Sequence, residues 1–404
     1  MIFLIVSRII LGRIEGIIDP PTTEYFNRVC DYAEKVRAEL ILFTMDTPGG
    51  LDKSMREIVK RELGSKIPIC IYVYPDGARC ASAGVFILLA AHYAAMCPGT
   101  NMGSAHPVAI GGKVPKEMKE KIVNDAAAYI KAIAEKRGRN EEWAEKAVRK
   151  SVNVTAHKAL ELNLIDFVAD SVQELIEKIS QKIEIRDKNI EEVKWLFKER
   201  FLHTITNPNI AYLLLVLGLY ALIFELMHPG AIFPGVFGAV SLLLGLYGLH
   251  ILPVNYAGIG LIILGIVLFI LEALTPTFGP LTIGGITCLI FGSMMLIRVN
   301  VPFLKISRSL ILTVAILLGG FFSFALTMAL RAMRRRPVTG KEGLIGLVGE
   351  CKQPIKPGKE GVVMVQGTLW RAIADESIKR GERVEVIETL PGLILKVKKT
   401  KRIA

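Results

Sequence analysis

Apolar and polar positions along the chain change their period twice, and the changes divide it into three parts. In the first, "RIILGRIEGIID" (Arg8–Asp19) has the composition of a strand and "TTEYFNRVCDYAEKVRA" (Thr22–Ala38) the period of an amphipathic helix with a threonine cap. "LILFTMDT" (Leu40–Thr47) is an apolar strand, "LDKSMREIVKREL" (Leu51–Leu63) a helix and "PICIYVYP" (Pro68–Pro75) a second buried strand. Strands alternating with helices predict an α/β core with largely parallel pairing. An apolar helix, "ASAGVFILLAAHYAAM" (Ala81–Met96), and a long amphipathic one, "PKEMKEKIVNDAAAYIKAIAEKRG" (Pro115–Gly138), follow.

The second part has no such alternation. Pro229–Leu271 carries no Lys, Arg, Asp or Glu, is too long for one crossing of roughly 20 residues, and is interrupted at "LPVN" (Leu252–Asn255). With further uncharged runs at Asn207–Phe224, Ala273–Ile297 and Ser309–Leu330, about five membrane spans are expected between residues 207 and 330. Residues 184–206, with Trp195, Phe197 and Phe201 among charges, read as an amphipathic linker or a helix along the membrane surface. In the third part, residues 338–404, five short strands ("GLIGLVGEC", "EGVVMVQG", "LWRAIAD", "ERVEVIE", "LILKVKK") have the rhythm of a small closed β-barrel.

The net charge of +12 is uneven: from Arg331 onward 17 Lys and Arg face 8 Asp and Glu, starting with "RAMRRRP" directly after the last apolar run. That is the position of a cytoplasmic anchor; without interleaved aromatic residues it does not point to nucleic acid. The cluster Arg298, Lys305 and Arg308 competes with this orientation. Six cysteines stand apart, without zinc spacing or a disulfide framework, so no metal site is expected. "MIFLIV" at the start is short for an export signal and reads as a first strand, unless translation begins upstream.

Chemistry concentrates between residues 46 and 121. "DTPGG" (Asp46–Gly50) ends a strand in glycines whose N–H groups no side chain shields, and Ser82 stands where a loop becomes a helix. The amides of Gly50 and Ala83 are candidate donors for an oxyanion, with Gly49 permitting the turn. A serine at this place also starts helices as a plain cap. On the long amphipathic helix Lys121 shares a face with Met118, Asp125, Ala128 and Ala132. Ordinary surface pairing with Asp125 at i+4 is the alternative to a base in a cleft. His106, 24 residues beyond Ser82, is a rival candidate for the base, and a Ser/His pair normally needs an orienting carboxylate. Ser104 and Cys80 are weaker nucleophile candidates.

"DTPGG", "ARCASAG", "CPGT", "GSAHPV", "AYIKAIAEKRGRN" and "TAHKALELNLID" follow one another as in the membrane-bound NfeD proteins, which this chain resembles over nearly its whole length. The resemblance implies an α/β Clp/crotonase-like protease domain at 1–183, the linker at 184–206, a helical transmembrane region at 207–330 and an OB-fold at 338–404. It also implies Ser82 as nucleophile, Lys121 as base and His106 as a cleft residue. A lysine serves as base only when neutral, which requires desolvation. No cofactor is needed, and no phosphate-binding loop is present.

The resulting expectation is a multi-pass, homo-oligomeric membrane serine endopeptidase cleaving hydrophobic segments, with a stomatin or prohibitin-type membrane protein as partner and lipid around its spans. The protease domain is expected outside the cytoplasm and the barrel within it. A membrane scaffold that organises such partners without catalysis is the alternative.

Overall fold

A computed structural model describes residues 8–108, 115–227, 230, 232–250, 254–275, 279–297, 305–333 and 341–401. They fall into two compact units, one of Met1–Leu271 with Gly279–Gly319 and one of Glu272–Phe278 with Gly320–Ala404.

The first unit opens with β1 (Ile9–Glu15), α1 (Pro20–Val36), β2 (Leu40–Asp46), α2 (Asp52–Gly64), β3 (Ile69–Val73), β4 (Arg79–Ala81), α3 (Ala83–Ala90), β5 (Tyr93–Met96) and β6 (Asn101–Gly103). It continues with α4 (Lys116–Lys136), α5 (Glu141–Lys150), β7 (Asn153–Thr155), α6 (Ala156–Glu161), β8 (Phe167–Val168), α7 (Val172–Ser180), β9 (Ile190–Glu192) and α8 (Phe197–Ile205). Six strands make a parallel sheet in the order β8-β5-β3-β2-β1-β9. Helices cover both of its faces, so β3 is buried throughout and β2 at all but its last residue, which is why they read as unbroken apolar runs. Helix α1 starts where Asp19 accepts from the Thr22 amide at 3.0 Å, and its two prolines occupy positions whose N–H groups would have no partner.

Residues 184–206 contribute structure to this domain. Strand β9 pairs with β1, Ile190 opposite Ile9. Trp195 then stacks on Tyr25 at 4.4 Å and donates to the Arg13 carbonyl at 2.9 Å. Helix α8 is held against α1 by Arg28, which pairs with the buried Glu199 at 2.7 Å.

Five apolar helices follow: α9 (Pro208–Met227), α10 (Phe233–His250), α11 (Tyr256–Leu274), α12 (Pro280–Leu296) and α13 (Arg308–Met333). They coincide with the five uncharged runs of the sequence. By length and composition Pro208–Leu226 suffices to cross a membrane, and the other apolar stretches are shorter. Hydrogen bonds fix which ends lie together: the Asn255 amide donates to the Leu296 carbonyl at 2.8 Å and the Ser307 amide to Asn209 Oδ1 at 2.8 Å. A third, between the Tyr212 and Ser293 hydroxyls at 2.8 Å, joins the start of α9 to the last turns of α12, so the starts of α9, α11 and α13 share one end of the bundle with the end of α12. Arg298, Leu252, Pro253 and the run Arg334–Arg336 lie outside the described residues, as does "MIFLIV".

The second unit holds a closed barrel of β10 (Val348–Gln353), β11 (Gly361–Val365), β12 (Thr368–Ile373), β13 (Arg383–Leu390) and β14 (Ile394–Lys399), in the order β10-β11-β12-β14-β13. Strands β12 and β14 run parallel and the other pairs antiparallel. This is the five-stranded OB topology. Alternate residues of β11 are buried, and with Val384, Val386, Leu395 and Val397 they fill the interior.

Candidate active site

A separate three-stranded sheet, β4-β6-β7, carries Ser82. Strand β4 ends at Ala81, α3 begins at Ala83, and Ser82 makes the turn between them at φ 54 and ψ −115. A residue with a Cβ avoids this region, and holding one there costs about 1–3 kcal/mol. The conformation is enforced from both sides. The Ser82 amide donates to the Gly103 carbonyl at 3.1 Å, and the Ser82 carbonyl accepts from Val85 at 3.1 Å. The hydroxyl makes no cap hydrogen bond to the helix it precedes, which removes plain capping as the reason for a serine.

The "DTPGG" turn packs directly against it. Thr47 and Cys80 form a parallel bridge, and Gly49, at φ 117, approaches so closely that a Cβ there would stand 2.6 Å from Ser82 Cβ and 3.1 Å from Oγ. Most of the turn's backbone groups are committed. The Gly49 amide donates to Thr47 Oγ1 at 3.0 Å, its carbonyl accepts from Ile18, and Leu51 donates to the Ile18 carbonyl. Among the described residues the N–H groups of Gly50 and Ala83 donate to no protein acceptor. Thr47, fully buried, was legible in the sequence as a Thr two residues before an amide that it can accept from, although the sequence reading names only the glycines.

The other candidates are placed as follows. His106 is half-buried, and its Nδ1 lies 2.8 Å from the Val148 carbonyl. A carbonyl there takes the Nδ1 proton and leaves Nε2 as the acceptor. Ser104 Oγ is engaged with Asn153 Oδ1 at 3.1 Å. Cys80 is completely buried, and burial pushes its thiol well above the ordinary range, the opposite of a reactive thiolate.

Lys121 lies on α4, whose buried stripe is Ala126, Ala127, Ile130, Ile133 and Ala134. At 100° per residue Lys121 is on the opposite side, with Met118, Asp125, Ala128 and Ala132, and this face is exposed. Of the two orientations open in the sequence, within one chain the lysine faces outward, and among the described residues it makes no hydrogen bond with Ser82. Asp125, the expected surface partner, is taken by Arg56 of α2 at 2.5 Å. Among the described residues Lys121 has no ion pair. Near it Met118 and Ile122 are 51% and 37% exposed. Desolvation of its amine requires a covering that the described residues do not provide.

Among the described residues no three His, Cys, Asp or Glu side chains gather to hold a metal.

Three family profiles match in succession: "NfeD1b, N-terminal domain" at residues 10–193, "NfeD integral membrane domain" at 209–328 and "NfeD-like C-terminal, partner-binding domain" at 341–399. The membrane-bound protease PH1510 of Pyrococcus horikoshii is 38% identical over 415 residues, covering 97% of this chain and 93% of that one. The chain belongs to the NfeD family. Solved structures similar to this NfeD chain include a lysine-to-alanine mutant of the 1510-N membrane-bound stomatin-specific protease in complex with a substrate peptide. That structure is 34% identical, covers 49% of this chain and 97% of that one, and has a TM-score of 0.45. ClpP1 from Listeria monocytogenes is 20% identical over 43% of this chain and 96% of that one, with a TM-score of 0.35. As an NfeD protein the chain has a membrane domain, and its apolar helices are that domain.

Proposed function

We propose that the chain is a membrane-anchored serine endopeptidase in which Ser82 is the nucleophile, the Gly50 and Ala83 amides receive the oxyanion, and Lys121 is the base. The observation that carries the reading is Ser82 itself. A serine held at positive φ, capping nothing, stands against a glycine turn with one uncommitted N–H on each side. Such donors stabilise a tetrahedral intermediate without reorganising. Relatedness to a membrane-bound protease supports proteolysis as the activity.

Attack by Ser82 Oγ on a peptide carbonyl forms the acyl–oxygen bond while the base takes the hydroxyl proton, which then passes to the leaving amine. Lys121 acquires this role when a substrate or a second copy covers the first turns of α4. Exposed Met118 and Ile122 favour a covering segment that is hydrophobic. A stomatin-type membrane protein is the proposed partner, drawn from the related protease and from the partner-binding description of the barrel. Five crossings, with the α/β domain outside the cytoplasm and the barrel inside, fit the alternating bundle ends and the basic residues after α13.

The outward lysine favours one rival, a scaffold that retains the fold for binding. Peptide cleavage by the detergent-solubilised chain separates the two. Ser82→Ala and Lys121→Ala should each abolish turnover to a similar extent, because nucleophile and base act as one unit, while His106→Ala costs less. A folded Lys121→Ala protein with full turnover would remove the dyad, and wild-type protein that binds but never cleaves would establish the scaffold.

A further inference from the structure

Among the described residues nothing covers the outer face of the first turns of α8. Phe197 and Phe201 stack on one another at 5.9 Å and are 85% and 42% exposed, with Leu196 beside them at 54%. The opposite face is fixed by the buried Glu199, and Ile205 is buried at the C-terminal end of the helix, so the uncovered part is its first turns. Cations border the aromatic pair. Among the described residues Lys194 and Arg200 make no ion pair, and Lys198 reaches Glu24 only at 3.9 Å. A cleft of about 620 Å³ beside them is lined by Arg13, Lys194, Arg200 and His203 together with the carboxylates Glu15 and Glu192, the latter paired with Arg13.

Position supplies the occupant. Helix α8 ends at Ile205 and α9, the first helix of the membrane domain, begins at Pro208, so α8 lies within a few residues of the bilayer surface. The hydrogen bond from Ser307 to Asn209 puts the start of α13 at the same end of the bundle, adding exposed Lys305 and Arg308 to that level. A second copy meeting this face symmetrically would bring like charges together.

We propose that α8 docks into the interfacial layer of an anionic phospholipid leaflet, with Phe197 and Phe201 at the acyl boundary and Lys194, Arg200, Lys305 and Arg308 against lipid phosphates. Stacked rings with cations on either side suit an apolar layer below and charged headgroups above. The assignment rests on the membrane placement of α9 and is independent of proteolysis.

An environment-sensitive dye on Thr204→Cys, on the exposed face of α8, reports docking through quenching by lipids with brominated acyl chains. The full chain is placed in nanodiscs of phosphatidylcholine alone or with phosphatidylglycerol, and the parent without Thr204→Cys gives the background. Strong quenching is expected with phosphatidylglycerol, with the docked-to-undocked ratio falling about 30-fold in Lys194→Ala/Arg200→Ala, since each surface cation near an anionic leaflet adds about 1 kcal/mol. Phe197→Ser/Phe201→Ser should lose quenching with both lipids. If a variant does not fold, raising salt on the otherwise wild-type protein gives the same charge test. Absent quenching, quenching equal in both lipids and indifferent to charge and salt, or a signal that follows the number of copies per nanodisc would each overturn the proposal.

Discussion

An alanine at Gly49 would place its Cβ 2.6 Å from that of Ser82 on a backbone at φ 117, so both strain and collision push the serine away from its turn. Displacement by about 1 Å reduces catalysis about 100-fold, and Gly49→Ala should lose turnover to that extent while circular dichroism and peptide binding persist; full activity would separate the turn from catalysis. A second residue-level test concerns His203, whose Nδ1 meets the buried Asp19 carboxylate at 2.8 Å. Burial alone would lower the imidazole from its ordinary 6.5, but the Asp19 hydrogen bond and charge and the Glu15 carbonyl outweigh it and raise it. A raised value means that this stabilisation is complete below pH 6.5 and is lost as pH climbs through the folded-state value. His203→Gln should therefore cost about 2 kcal/mol in acid and progressively less at alkaline pH, read from melting temperatures across pH. A cost independent of pH would rule out protonation. Small residues around a lone serine made Ser82 legible in sequence. The Asp19–His203 pair was not, because nothing local links positions so far apart in the chain.

On α4 the amphipathic period was legible, but the side that packs was not. Alanines stand on both sides, at Ala126 and Ala127 and at Ala128 and Ala132, and what decides the matter is that Ile130 and Ile133 are buried. The strand-helix alternation up to residue 75 was readable because buried strands have no polar face to confuse the pattern. The helix expected over Ala81–Met96, by contrast, stops at Ala90, and Tyr93–Met96 is strand β5, an apolar run that periodicity does not tell from a buried helix. Strand β9 is three residues long and mostly charged, and no periodicity marks it. Its contribution is measurable. A chain ending at 183 loses the β1 edge pairing, the Tyr25–Trp195 stack and the Tyr25 hydroxyl bond to the Val193 carbonyl, together about 3 kcal/mol. Urea unfolding of residues 1–183 against 1–206 should show that difference, and coincident midpoints would mean that β9 and α8 are dispensable.

For the molecule as a whole, the barrel closes on itself and has its own apolar interior, which leaves no open sheet edge to be completed by another part of the chain. Deleting residues 338–404 should leave cleavage of free peptides unchanged and abolish capture of a stomatin-type partner; loss of peptide cleavage in a folded deletion would tie the barrel to catalysis. The three-part order was legible because each part has its own period, whereas the number of copies in an assembly leaves no such pattern. The parallel sheet also sets a sequence of events during synthesis. Strand β1 pairs with β2 along one edge, but its other edge, with Ile9 opposite Ile190, stays open until one of the last pieces of its domain has been made, and α9 follows directly behind. Final closure of the catalytic fold and delivery of its anchor to the bilayer thus fall at nearly the same moment, and a delay in one holds back the other.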